Sequence, residues 1–133
     1  MATLARASCG EIETLLEAVP AHEVLKAPET GTVMVEGRAG GAGRRFNLGE
    51  ATVTRCVVRL PHGRLGFSYA LGRDGRKARL AALLDARLQD EEESSALHRA
   101  VATLAEAQQT ARELASRKAA ATKVDFFTMV RGA

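Results

Sequence analysis

The sequence is poor in aromatic residues: it has no tryptophan, one tyrosine and four phenylalanines among 133 residues. Leucine, valine and alanine must therefore fill most of the core. Only two cysteines occur, Cys9 and Cys56, and they lack the spacing of metal ligands, which favours a reduced, cytoplasmic protein. No apolar run approaches the roughly 18 residues that cross a bilayer, and we expect no signal peptide. These shortages predict a single globular domain over residues 1–133.

Side-chain combinations typical of catalysis are also scarce. The three histidines, His22, His62 and His98, fall in a predicted connector, a turn and a helix face, where surface positions explain them best. Glu50 precedes Arg55 and has the chemistry of a general base, but an ion pair at the start of a strand is the simpler interpretation. The sequence shows no Cys/His cluster with metal-ligand spacing. We therefore predict no catalytic residue and no metal site in this chain.

Charge is unevenly distributed along the chain. Residues 38–79 hold ten lysines and arginines against two acidic residues, whereas residues 1–37 hold six glutamates against two basic residues. A basic middle favours an anionic ligand or an acidic partner surface. The alternative is that these long basic side chains solvate an exposed sheet edge and deter edge pairing. Nucleic-acid binding is disfavoured because few aromatics accompany the charge and no recognised module is visible.

A glycine- and arginine-rich stretch, residues 37–56, is the most distinctive part of the sequence. Four glycines lie within residues 37–43, and arginines alternate with them. Glycine permits positive φ, and guanidinium groups bind phosphate or carboxylate bidentately. The stretch lacks the Gly-Lys-Ser/Thr of a Walker A loop and precedes a strand where a dinucleotide motif would open a helix. It remains open whether it is a phosphate nest, a docking surface or a structured connector.

Hydrophobic periodicity predicts an α+β fold. Ser8 and Glu11 form a capping-box pattern within the first helix, Pro20 ends that helix, and residues 20–31 are interpreted as a connector. Alternation of large and small residues predicts an antiparallel hairpin over 51–72. The periodicity predicts helices over 3–19, 76–89 and about 94–118, and strands over 32–36, 51–60 and 65–71. We therefore expect an antiparallel sheet of three to four strands with helices packed on one side.

The last residues combine apolar and aromatic side chains. Residues 119–133 are predicted to form an extended tail after the long C-terminal helix, and Phe126 and Phe127 lie within it. Chain termini fray unless something holds them. An extended segment this apolar either adds a strand to its own sheet or docks on a partner.

Three stretches of the sequence closely resemble one family. They are residues 29–60 with the Gly-Gly-x-Gly-x-x-Phe loop, residues 65–89 with Gly-Phe-Ser-Tyr and Gly-Arg-Asp, and residues 124–132, Val-Asp-Phe-Phe-Thr-Met-Val-Arg-Gly. In this order they resemble the PhnG family, the G subunit of the carbon–phosphorus lyase core complex. One departure is Lys77, which stands where the family often has a histidine, so no acid–base role transfers to that position.

The resemblance implies a subunit and not a lone enzyme. Members of the family join the H, I and J subunits in paired copies, with ATP as a substrate of the complex. The complex makes α-D-ribose 1-methylphosphonate 5-triphosphate from ATP and alkylphosphonate during phosphonate catabolism. Nucleosidase-like chemistry is attributed to the I subunit, and an iron–sulfur cluster with S-adenosylmethionine to the J subunit, so this chain would carry no cofactor of its own. The alternative is a stand-alone anion- or nucleotide-binding module that uses residues 37–55.

Several residues are candidates for contact with a partner or a phosphate group. They comprise the arginines and glycines of the glycine-rich stretch, their neighbours, and the tail. They are Arg38, Gly40, Gly41, Gly43, Arg45, Phe46, Glu50, Arg55, Arg73, Phe126, Phe127 and Arg131.

Overall fold

A computed structural model of the chain describes residues 1–90 and 94–124. The elements in chain order are α1 (Ala2–Arg6), α2 (Cys9–Leu16), β1 (Glu23–Arg38), β2 (Arg45–Arg59), β3 (Leu65–Leu71), α3 (Gly75–Arg87) and α4 (Ser94–Ala121), with a 3-10 turn at Ala39–Gly41. The strands form one antiparallel sheet in the order β1-β2-β3. This confirms the predicted α+β class, with three strands. None of the described helices is long and apolar enough to cross a membrane.

The predicted helix over 3–19 is wrong as a single element, because the chain breaks between α1 and α2. Ser8 is the N-cap of α2: its hydroxyl accepts a hydrogen bond from the Glu11 N–H, and the Glu11 carboxylate accepts one from the Ser8 N–H. The capping box is therefore confirmed. An N-cap residue has extended backbone angles, so the same serine that starts α2 prevents α1 from continuing into it. The second helix ends at Leu16, before Pro20.

The predicted connector over 20–31 is also wrong, because most of it belongs to β1. This strand has 16 residues and pairs with β2 from Glu23 to Arg38. It is an edge strand, and its pairing is shifted near Lys26 and again between Lys26 and Glu29. An edge strand tolerates a proline such as Pro28, which lacks an N–H, and bulges commonly interrupt edges. The strand predicted at 32–36 lies within the second half of this longer one.

The predicted hairpin of β2 and β3 is confirmed. Val53 to Arg59 pair with Leu71 to Leu65, and a turn over residues 61–64 joins the strands. Asp74 caps α3, since its carboxylate accepts a hydrogen bond from the Lys77 N–H. The long helix α4 extends to Ala121, three residues beyond the predicted end. The rest of the predicted tail, from residue 125, lies outside the described residues.

The core lies between the sheet and the helices, and small residues line much of it. Gly66, Ser68 and Ala70 of β3 face α3, whose alanines at 78, 82 and 86 are fully buried. A Cβ atom on Gly66 would lie 1.9 Å from the carbonyl oxygen of Ala82. The Ser68 hydroxyl donates to the Ala78 carbonyl at 2.6 Å. The helix backbone therefore lies directly against the strand. Leu4, Ile12, Leu16, Leu83 and Leu84 fill the remaining core.

Candidate functional site

The opposite side of the sheet carries large side chains that no described element covers. Because successive strand residues point to opposite faces, β3 turns its large side chains away from α3. Leu65, Phe67, Tyr69 and Leu71 are 38–50% exposed, while the small residues between them are buried. We call this side the open face. Its apolar and aromatic members are Val33, Val35, Val53, Val57, Leu65, Phe67, Tyr69 and Leu71.

Charged side chains cross the open face in pairs. Arg55 donates through Nε and one terminal nitrogen to the same Glu29 oxygen, at 3.0 and 2.8 Å, and Lys26 lies 2.9 Å from that oxygen. The hydrogen bond from Lys26, followed by that from Arg55, lowers the pKa of Glu29. Arg59 bonds Glu23 in the same two-nitrogen manner. The interpretation that Glu50 pairs with Arg55 is wrong: Arg55 pairs with Glu29, because Glu50 lies on the other face of β2.

Beyond the end of β3, strands β1 and β2 continue as a two-stranded ribbon. We call residues 32–38 and 45–52 the arm. Its side chains are largely exposed, including Met34 at 58% and Leu48 at 66%. Two-stranded ribbons are marginally stable alone in water, and exposed apolar residues on one mark an interaction site. The arm is therefore suited to contact another molecule.

The arm tip, residues 38–45, holds most of the glycine-rich candidates. Gly40 and Gly41 have positive φ angles of 61° and 82°, and the Gly43 N–H donates to the Ala39 carbonyl at 2.8 Å. Arg38 donates to the Gly43 carbonyl at 3.3 Å, and Arg45 lies 3.5 Å from the Glu36 carboxylate. The glycines are thus required by the turn itself. The tip presents its arginine side chains to solvent.

The structure separates the predicted site residues into several places. Phe46 lies next to the tip and is 47% exposed. Arg55 lies ten residues after Arg45 along β2, which corresponds to roughly 33 Å at the usual rise of a strand. Arg73 is exposed in the loop between β3 and α3, and Glu50 lies on the arm. The arginines at 45 and 55 therefore do not converge on one phosphate group in the isolated chain. Phe126, Phe127 and Arg131 lie outside the described residues.

Residues that the sequence reasoning missed lie on the open face. Phe67, Tyr69 and Gly31 were not among the candidates, yet Gly31 and Tyr69 line a depression of about 180 Å³ and Phe67 is exposed on the same face. A usable signal was present: in β3 the large residues alternate with glycine, serine and alanine, and α3 is rich in alanine. Small residues on both elements predict that α3 packs closely on the face of β3 that carries glycine, serine and alanine. The large side chains of β3 must then point away from the helix.

No metal-binding group of three or more His, Cys, Asp or Glu side chains occurs in residues 1–90 and 94–124. Cys56 is 1% exposed and burial raises the pKa of its thiol, so it acts as a small core residue. Burial, followed by the charge of Glu13, also raises the pKa of Cys9. Both thiols are therefore poor nucleophiles at neutral pH.

A second depression, a cleft of about 550 Å³, lies between α2 and α3. Arg76, which lines this cleft, is already paired with Glu13.

A three-stranded domain with an open apolar face and a projecting arm has the features of a subunit that binds other chains. Comparison with known proteins agrees with this class. The family model described as phosphonate metabolism protein PhnG matches residues 1–132, and this chain belongs to that family. A relative from Rhizobium meliloti (strain 1021) is 49% identical over 140 residues, covering 99% of this chain and 86% of the relative. That relative is the alpha-D-ribose 1-methylphosphonate 5-triphosphate synthase subunit PhnG.

Proposed function

We propose that this chain is an accessory, non-catalytic subunit of an α-D-ribose 1-methylphosphonate 5-triphosphate synthase and acts in phosphonate catabolism in the cytoplasm. The observation that carries the proposal is the 49% identity, over almost the whole chain, to a protein that is a subunit of this synthase. The uncovered apolar face and the arm support it, because both expose side chains that a partner would bury.

The partners in this proposal are the H, I and J subunits of the same assembly, each present in paired copies. Their chemistry would include the ATP-dependent step and the iron–sulfur and S-adenosylmethionine reaction, while this chain would bring no cofactor. The side chains of this subunit would hold and position the partners. The candidate contacts are the arm tip, including Arg38 and Arg45, and the tail residues Phe126 and Phe127.

The test is co-expression of the chain with these subunits, followed by size-exclusion chromatography with light scattering. The isolated chain has a mass of 14.1 kDa, so its incorporation into an assembly is easily resolved. We expect co-elution and dependence of product formation on the presence of this chain. A chain that never co-elutes and that the synthase reaction does not require would refute the proposal. A variant carrying Phe126→Asp and Phe127→Asp tests the tail separately, with loss of the I subunit expected.

A second candidate function is a stand-alone anion- or nucleotide-binding module at the arm tip. The observation that favours it is the exposed group of Arg38, Arg44 and Arg45 beside glycines with positive φ. Calorimetry of the isolated chain with millimolar ATP tests it. Binding that weakens with salt and is lost in Arg44→Gln/Arg45→Gln would support the module, and no heat of binding would discard it.

A further inference from the structure

Gly31, in the middle of β1, is a glycine that the fold of this chain does not explain. Glycine inside a strand is destabilising relative to alanine, so it normally serves a steric or conformational need. Gly66 has such a need, because α3 leaves no room for a Cβ atom. Gly31 has no positive φ, and a Cβ atom there would meet no described atom within 4 Å.

The missing side chain leaves a depression in the open face. Gly31 lies opposite Val53, and Val33, Arg55 and Tyr69 complete the walls of a space of about 180 Å³. Tyr69 is 50% exposed, and the guanidinium of Arg55 is fixed by Glu29. Tyrosine and arginine around a small pocket are the residues that most often dominate the energy of a protein interface. The depression is therefore shaped for one large side chain from another molecule.

The size and charge of the open face define its occupant. β1, β2 and β3 have 16, 15 and 7 residues, so at about 3.3 Å per residue and roughly 4.8 Å between strands the sheet presents on the order of 600 Å². Stable interfaces bury about 800 Å² on each side, so this face supplies most of one. Arg55 and Arg59 are already paired with glutamates, so the apolar side chains of the open face lie among charges that are largely balanced.

We propose that the open face binds a different polypeptide through an apolar surface that inserts one aliphatic or aromatic side chain into the Gly31 depression. The inference rests on the proposed function, which makes this chain a subunit with at least one protein partner. At the end of the face, the arginines of the arm tip would meet carboxylates of the same partner. The open face, rather than the arm tip, is then the main contact surface.

The experiment compares Gly31→Phe with Gly10→Phe in the full chain. Gly10 is the matched control, because it is exposed on α2 and a Cβ atom there also meets no described atom within 4 Å. Each variant is co-expressed with the other synthase subunits, and the affinity of the purified subunit for the remaining assembly is measured. Thermal unfolding of each isolated variant checks the fold, and hydroxyl-radical footprinting of Phe67 and Tyr69 reports burial of the face.

We expect Gly31→Phe to fold normally and to bind at least about 30-fold more weakly, with Gly10→Phe unchanged. Footprinting should show protection of Phe67 and Tyr69 in the assemblies of the wild type and of Gly10→Phe, and no protection in the isolated chain. Normal assembly of Gly31→Phe, or assembly without that protection, would overturn the inference while leaving the subunit function intact. A wild-type chain that forms no assembly would instead refute the proposed function. Protection of Phe67 and Tyr69 in the isolated chain would also overturn the inference about the open face. If light scattering then showed a dimer, a second copy of the chain would cover the face; if it showed a monomer, the chain's own C-terminal segment would cover it.

Discussion

Substituting alanine for Gly66 tests the close packing on which the orientation of the sheet depends. The added Cβ atom would lie 1.9 Å from the carbonyl oxygen of Ala82 and 2.8 Å from the Cβ atom of Ala86. Ordinary contacts of this kind exceed about 3.4 Å, so β3 and α3 must separate by more than 1 Å. The obstructing atom belongs to the helix backbone, which cannot rotate away as a side chain can. Insertion of an extra methyl group into a packed core costs about 1–3 kcal/mol, and rigid surroundings place this case at the upper end.

We therefore expect Gly66→Ala to lower the free energy of unfolding by about 3 kcal/mol and the Tm by roughly 12 °C for a domain of this size. Urea unfolding and thermal melts followed by circular dichroism measure both quantities. Gly10→Ala is the matched control, because a Cβ atom at Gly10 meets open space, and alanine in a helix is favoured by up to about 1 kcal/mol. A loss below about 1 kcal/mol in Gly66→Ala would refute the close packing of α3 on β3.

Three further predictions concern the N-terminal helices and the charges. Ser8→Ala removes the capping box and should lower the free energy of unfolding, measured in urea, by about 1 kcal/mol. The hydrogen bonds from Ser8 lower the pKa of Glu11 in the folded state, so the stabilisation from Glu11 should be complete above its ordinary pKa of 4.5 and be lost as the pH falls through the lowered folded value. A loss of stability in Ser8→Ala that does not depend on pH would contradict this role of Glu11. Lys77→Met should cost about 2–3 kcal/mol, because Lys77 is buried and its ammonium group donates to two main-chain carbonyls at 2.9 and 3.2 Å. An unchanged unfolding curve would show that these hydrogen bonds are unimportant. Arg55→Gln should move the pKa of Glu29 part of the way back towards 4.5 in an NMR titration, since Lys26 still holds that carboxylate, and an unmoved pKa would exclude the pairing.

The sequence was sufficient to predict the elements whose signals are local. Alternation along residues 65–71 defined β3 and the hairpin it forms with β2. The capping box at Ser8 was visible too, but treating it as an interior feature of one long helix produced an error. An N-cap requires extended backbone angles, so a correct capping box and a continuous helix through it exclude each other.

Features that depend on distant parts of the chain could not be predicted in the same way. The first half of β1 lacks alternation and contains Pro28, so only its pairing with β2 makes it a strand. The partner of Arg55 is Glu29, 26 residues away, and no local spacing connects them. Likewise the candidate arginines cluster in sequence, whereas strand geometry places Arg45 at the arm tip and Arg55 in the three-stranded part of the sheet. Residues 125–133, where the tail was predicted to dock, lie outside the described structure.

The arrangement of β3 connects the core of the domain to its proposed role. In a sheet with one face in water, the large apolar residues normally face the core and the polar residues face solvent. Here Gly66, Ser68 and Ala70 face the core, and Phe67 and Tyr69 face outward. In the isolated domain Phe67 and Tyr69 therefore stay exposed, while β3 makes a close, rigid contact with α3 through its small residues. That arrangement is advantageous only when another surface buries the aromatic residues, so the stability of this chain and its assembly with a partner should be coupled.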